Sequence, residues 1–461
     1  MKKALNLFFI FLLVLGMTIV GFASEEYETV IIRVSSKGSA ADVARGQNLV
    51  RAAEELNRWL AQKNDKRRVK VEHIHDSSGT DDNETNRRFF LAWHSGHAED
   101  IIALPHSNVA LYAEGNYALP LDELIKTSEF GSLLEGIYDN LWEAAKYKGR
   151  IYAVPQDAEA RVLFYRKDVL AQMGWREQEI ADLAEKIREG QFTLEDMIAL
   201  GKQAQEQKLV DWGFYHRPTN GPAFTMILRA FGGEVYNAEA DKIVLDKKAL
   251  TKALAFFRRI TQEEKITPEG MTIMEWRNLH QVWVEGDVLF WLGGTWHWGE
   301  YQQVPYHSTL GELTEDYMFA NMGYALFPAV EQGGRPVTLT NPFVYMINSK
   351  TKHPDLAFAL VALASQPEYN ALHAVNSGHM VISPDAAEQP LYKENAFFKS
   401  VAYMLEYTMT QPNTPRWNNF TTALYKAVQA VELGQQTPEE AVGWMEEQLK
   451  HDLGDQLLIL E

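Results

Sequence analysis

The stretch VPQDAEARVLFY, Val154 to Tyr165, sets Asp157, Glu159 and Arg161 at alternate positions of an extended segment, so three charges share one face beside Val162, Leu163 and Phe164. Charges crowded in this way are costly to bury unless they pair or meet a ligand. Carboxylates accept hydrogen bonds and a guanidinium donates them, so the set suits a hydroxylated ligand, with Arg161 also orienting the carboxylates. The same carboxylates raise a hydrolytic alternative, a secreted glycosidase, because same-face residues on one strand stand roughly 6.5–7 Å apart. A glycosidase needs its acid and its nucleophile or base on either side of the scissile bond, and neighbours on one strand serve that poorly. A peptide or polyamine binder would use carboxylates and aromatics too.

The chain has 12 tryptophans, of which Trp276, Trp291, Trp296, Trp298 and Trp417 fall near glycine, proline or charge. An indole face beside carboxylates and amides fits a sugar, which shows an apolar C–H face and a rim of hydroxyls. In GGTWHWGEY, Gly293 to Tyr301, the glycines let the backbone leave the strand DVLFWL tightly. Trp296 then stands at the strand end as a stacking platform, with Trp298 as a supporting wall. His106 follows the strand DIIALP at its C-terminal end, where open α/β sheets place ligands. His73 with His75, and His94 with His97, lack a third ligand at recognisable spacing, so neither a metal nor a cofactor is expected.

These residues need a frame. ETVIIRVSS alternates Val30, Ile32 and Val34 as a strand, and GQNLVRAAEELNRWLAQ follows with Leu49, Ala53, Leu56 and Leu60 at helical spacing. VKVEHIHD and DIIALPH read as further strands around a helical FFLAW, a βαβα series on a mainly parallel sheet. RVLFY and DVLFWL, with the amphipathic TLEDMIALGKQAQEQ and KKALTKALAFFRRITQ, imply a second α/β lobe. Near the end, TPEEAVGWMEEQL opens a helix with Thr437 as cap, Pro438 at its first position and Glu440 closing a capping box. No long Gly/Ser linker separates the lobes, so several short crossovers should join them.

With 461 residues and 46% hydrophobic composition, the chain can bury cores for two or three domains. A net charge of −18 argues against nucleic acid, whose binding needs a cationic footprint, and the basic run from Lys63 to Val71 reads as a solvated turn. Residues 1–23, with Lys2, Lys3, an apolar run and small residues Gly21 and Ala23, read as a secretory signal peptide, an uncleaved anchor being the rival. The absence of cysteine excludes disulfides and a lipid-anchor cysteine, so the expected place is free in the periplasm. Phosphate-loop, dinucleotide, zinc-protease and serine-hydrolase signatures are all missing.

The order of YKGRIYAVPQDAEARVLFYRKDVLAQMGW, FGGEVY, VWVEGDVLFWLGGTWHWGEY, QPNTPRWNNFTTALYKAV and ELGQQTPEEA resembles the extracellular solute-binding proteins of carbohydrate ABC importers, the maltose-binding protein family. The resemblance covers nearly the whole mature chain. It implies a type II periplasmic binding fold with two α/β lobes, three crossovers, and a cleft that closes on one solute for delivery to a membrane permease, without catalysis. It implies lobes of 24–157 plus 345–380 and of 162–340 plus 384–461, and a monomer. Glu159 matches a family glutamate that bonds sugar hydroxyls, Trp296 the stacking tryptophan, and Trp298 a neighbouring aromatic. By the same comparison Asn341 and His379 border the cleft at the second and third crossovers. Where the maltodextrin binder has a glutamate and a tyrosine this chain has Asn220 and Pro222, and Thr421 and Thr422 replace a late aromatic pair, with Trp417 as a substitute platform. The expected ligand is therefore small and polar: a monosaccharide, a disaccharide or a cyclic polyol such as inositol.

Overall fold

The structure is a computed structural model and describes residues 27–78 and 82–461; the expected signal peptide lies outside them. The chain begins with β1 (Glu28–Lys37), α1 (Ala44–Gln62), β2 (Arg67–Asp76), α2 (Asp82–Ser95) and β3 (Ile101–Pro105). β1 buries Val30, Ile32 and Val34 and turns Ile31 and Arg33 outward, the alternation of a strand covered on one face. α1 covers that face with Leu49, Ala52, Leu56 and Leu60. β3 is buried at all five positions, as a central strand should be.

After β4 (Ala153–Pro155) the chain crosses to β5 (Arg161–Arg166). The second lobe then adds α3 (Leu194–Glu206), β6 (Trp212–Tyr215), α4 (Pro222–Ala230), α5 (Trp276–Glu285), β7 (Val288–Gly294), α6 (Trp296–Tyr301) and β8 (Met322–Ala325). From β9 (Thr338–Thr340) the chain recrosses to β10 (Phe343–Ile347) and α7 (Pro367–Ser377), and leaves again near Met380 for β11 (Thr408–Thr410), α8 (Trp417–Glu432) and α9 (Pro438–Leu453). The first sheet runs β2-β1-β3-β10-β4 and the second β8-β5-β7-β6.

The pairings differ in one respect from mainly parallel sheets. Strands within the βα units are parallel, as in β1 with β2 and β3, and β7 with β6. β10 is antiparallel to β3 and β4, and β5 to β7 and β8. β5 and β10 are the strands that arrive from the other lobe, so they enter at the hinge edge and run away from it, opposite to strands that end there.

The crossovers lie side by side. Ala158 and Met380 exchange backbone hydrogen bonds of 3.0 and 2.7 Å, and the Glu159 amide donates to Thr340 Oγ1 at 3.2 Å. At α9 the capping box forms: Thr437 Oγ1 accepts from the Glu440 amide and Glu440 Oε2 from the Thr437 amide. Among the described residues no helix is long and apolar enough to cross a membrane.

Candidate ligand-binding site

A cavity of about 380 Å³ opens between the lobes, lined by the loop after β1, the start of α2, the crossovers, the loop before α4, α5, α6 and the start of α8. Glu159, Arg161, Trp296, Asn341, Asn220, His379 and Trp417 all line it.

The geometry of the first crossover follows from extended backbone, which sends alternate side chains the same way. Arg161 Nη2 donates to Glu159 Oε1 at 2.7 Å, with both residues almost wholly buried. Burial raises the Glu159 carboxyl to about 7, opposed by the Arg161 charge. The Arg161 guanidinium also stands 4.3 Å from the centre of the Trp296 ring, a cation–π contact. Trp296 is half-buried and begins α6. Its indole lies back over Gly294, where a Cβ would stand 2.0 Å from the ring carbons, so only glycine lets the ring settle there.

Asp157 is a correction. It is fully buried and does not line the cavity. Its Oδ2 accepts from Arg45 Nε at 2.9 Å and its Oδ1 from the Phe343 amide at 2.9 Å. Burial alone would raise its carboxyl, but Arg45, His379 and His373 hold it far below the usual carboxylate range. Asp157 therefore anchors Arg45, and Arg45 Nη2 in turn donates to His379 Nε2 at 2.9 Å. Burial lowers His379 to about 4, so the ring is neutral, and its 3.8 Å approach to Glu159 is proximity without an ion pair.

Trp298 and His106 are further corrections, since neither lines the cavity. Trp298 is 3% exposed and stacks on Phe397, ring centres 4.7 Å apart and planes 3° apart. His106 is buried, bonding through Nε2 to the Gln411 carbonyl at 3.1 Å. Gln411, overlooked in the sequence, is the hub there: its side chain donates to Asn341 Oδ1 at 3.0 Å and accepts from Trp417 Nε1 at 2.8 Å. Trp417 is 1% exposed and stacks on Phe420, so its role is mainly core, with an edge toward the cavity.

Arg45, Arg217, His280, His297, Glu300 and Tyr306 also line the cavity and escaped the sequence reading. Arg45 carried one signal: it precedes Leu49 by four residues and so shares the apolar face of α1. Burial raises Glu300 to about 7, and its Oε1 accepts from Tyr306 at 2.6 Å.

Among the described residues two buried clusters bring together metal-ligand types: Asp157 with His373 and His379, and His280 with His297 and Glu300. In the first, Arg45 already donates to Asp157 and His379, so a cation would have to displace a guanidinium. In the second, His297 Nδ1 accepts from the Gly294 amide at 2.9 Å, which leaves the neutral ring's proton on Nε2. Trp291 Nε1 donates to the Tyr301 hydroxyl, which can then donate to His280 Nδ1 at 3.2 Å, and that ring likewise keeps Nε2–H. Both rings thus offer donors, which suits hydroxyl or anionic oxygens rather than a cation.

Two α/β lobes joined by three crossovers over a polar, aromatic cavity form a two-lobed binding protein of the periplasmic type. The chain belongs to the bacterial extracellular solute-binding proteins, whose family pattern matches residues 40–371. It is 20% identical over 326 residues to the maltotriose-binding protein of Pyrococcus abyssi, covering 70% of this chain and 63% of that relative. Among solved structures it is similar to the GacH receptor of Streptomyces glaucescens, studied unliganded and with acarbose, at 17% identity and TM-score 0.74 over 93% of this chain and all of that one. It is also similar to a solute-binding protein of Agrobacterium radiobacter K84 in complex with ribitol, at 18% identity and TM-score 0.69 over 92% of this chain and 98% of that one.

Proposed function

We propose that the protein is the periplasmic solute-binding component of a sugar ABC importer, and that it captures a mono- or disaccharide or a cyclic polyol by hinge closure. It hands the solute to a membrane permease, acts as a monomer and performs no catalysis. Lobes of 24–157 plus 345–380 and of 162–340 plus 384–461 close on the ligand.

Family membership supports the transport role. The observation that carries the ligand class is the Glu159–Arg161–Trp296 set at the cavity wall, an acceptor and an indole each in contact with the donor Arg161. The small size is supported by the cavity, whose volume of about 380 Å³ sits at the small end of the range of roughly 300–1,000 Å³ for small-molecule sites. Relatives whose ligands run from ribitol to maltotriose do not choose between sizes. The glycosidase alternative loses its pair, because Asp157 is committed to Arg45 and lies outside the cavity.

The test is a thermal-shift screen of sugars and polyols, followed by mass spectrometry of the best ligand after prolonged incubation. A ligand at 100 times its Kd should stabilise the protein by about 2.7 kcal/mol and be recovered unchanged. Accumulating product would replace this reading with the hydrolytic one, and silence across the screen would remove the sugar.

A further inference from the structure

The charges lining the cavity do not balance evenly in space. Lys37 pairs with Asp82 at 2.8 Å, Arg45 with Asp42 at 2.9 Å and Arg161 with Glu159 at 2.7 Å, while Asp76 stands 3.6 Å from Arg88. Arg217 is different: among the described residues no carboxylate lies within ion-pair distance of it. Its Nε donates to the Thr219 carbonyl at 2.6 Å, and its Nη2 to the Asn220 carbonyl at 2.8 Å and to Thr219 Oγ1 at 3.3 Å. All three bonds hold the guanidinium on its own loop, and none neutralises it. Nη1 has no hydrogen-bond partner among the described residues, and the guanidinium stands 5.6 Å from the centre of the Trp276 ring, a contact that attracts the charge without cancelling it.

Three further features surround this cation. Arg161 is 7% exposed and its Nε is buried without a hydrogen-bond partner, although its Nη2 is engaged with Glu159. The Arg217 guanidinium lies over Gly221, where a Cβ would stand 2.1 Å from Cζ, so its placement depends on a residue without a side chain. Gly221 is also the N-cap of α4, among the described residues no side chain caps that helix, and Gly221 and Pro222 line the cavity, so the positive end of the helix dipole adds to the Arg217 charge there. Burial and then the Arg161 charge bring Arg217 down to about 9, against the pull of the Asp82 and Glu159 carboxylates, which stand too far off to pair with it.

A neutral sugar would leave this charge buried under the closed lobes, which is costly. The molecule's net charge of −18 does not offset it, because surface charges farther off than about 8 Å are largely screened at physiological salt. We propose that the saccharide this site takes carries an oxyanion, a carboxylate, sulfate or phosphate substituent, held by Arg217 Nη1 and Arg161 Nε beside the first turn of α4. The planar guanidinium fork presents donors alone, which is the pattern that recognises such groups, and the helix dipole favours the same sign of charge. The inference rests on the sugar-binding reading above and narrows it to acidic saccharides.

Titration calorimetry decides it. The probes are glucuronate, galacturonate, glucose 6-sulfate and glucose 6-phosphate beside glucose and galactose, and disaccharides ending in a uronate beside their neutral counterparts. At least one charged probe should bind about 30-fold or more tighter than its neutral counterpart, as for a buried charge pair, and should weaken with added salt. Which of the charged probes wins identifies the anion. Arg217→Gln should erase the preference and Arg217→Lys should keep part of it, with the melting temperature of each variant confirming that it folds. The proposal is overturned if neutral sugars bind the native protein as tightly as charged ones, or if the preference survives Arg217→Gln; the sugar-binding reading stands in both cases. Binding of no saccharide, charged or neutral, overturns both.

Discussion

Glu300 and Glu159 are two carboxyls that burial raises to about 7, yet only Glu159 stood out in the sequence. Glu300 follows two tryptophans in GGTWHWGEY and nothing in its spacing separates it from a solvated helix glutamate. Its folded pKa lies above the ordinary value of 4.5, so the stability tied to its protonation is complete below about 4.5 and is lost as pH rises through about 7. Buried His379, depressed to about 4, works the other way, because acid below its ordinary 6.5 favours the unfolded, protonated ring. The native protein alone therefore shows a mixture. A Glu300→Gln variant imitates the protonated acid and should gain on the native protein, by on the order of 2 kcal/mol, between pH 5 and pH 8 in urea unfolding. A constant difference across that range would mean that Glu300 titrates normally.

At the strand-to-helix turn from β7 into α6, two tryptophans that look equivalent in sequence part company. Successive helical residues are about 100° apart, so residues two apart point roughly 200° from one another. Trp296 consequently faces the cavity beside Arg161, and Trp298 faces Phe397 in the second lobe's core. Trp298→Ala should cost about 3–5 kcal/mol of apo stability, read as a large fall in melting temperature, with ligand affinity kept where the variant folds. Trp296→Ala should barely change apo melting and should weaken ligand binding by about 2 kcal/mol, roughly 30-fold. The reverse pattern would exchange their roles. The rings separate because a helix begins at Trp296, and Gly293 and Gly294 signal a tight exit from the strand without saying that a helix follows, so Trp298 read as a supporting wall.

The whole molecule is two lobes on three adjacent crossovers, tied by the Ala158–Met380 and Glu159–Thr340 bonds, with His106, Gln411, Asn341 and Trp417 linked beside them. Short, adjacent connections of this kind let lobes rotate as rigid bodies while their cores stay packed. Small-angle scattering of the purified protein should show a smaller radius of gyration when its best ligand is added. An unchanged radius, with binding verified in the same sample, would show that closure is not what a permease reads.

Much of this architecture was legible because it is local. Alternation in β1, helical spacing in α1 and the Thr437 capping box are short-range patterns, and each appears as read. Glu159, Arg161 and Trp296 were reachable for the same reason, since their types and spacing put an acceptor, a donor and an indole at strand ends. Asp157 was misassigned because its partner, Arg45, lies 112 residues away and only packing brings the two together. Arg217 and Gln411 stand in loops without periodicity, where side-chain direction is set by contacts with distant segments. Sequence decides which elements form and which groups are available; whether a buried charge is neutralised by the protein or left for a ligand is decided by long-range packing, because an ion pair depends on distances that no local pattern encodes.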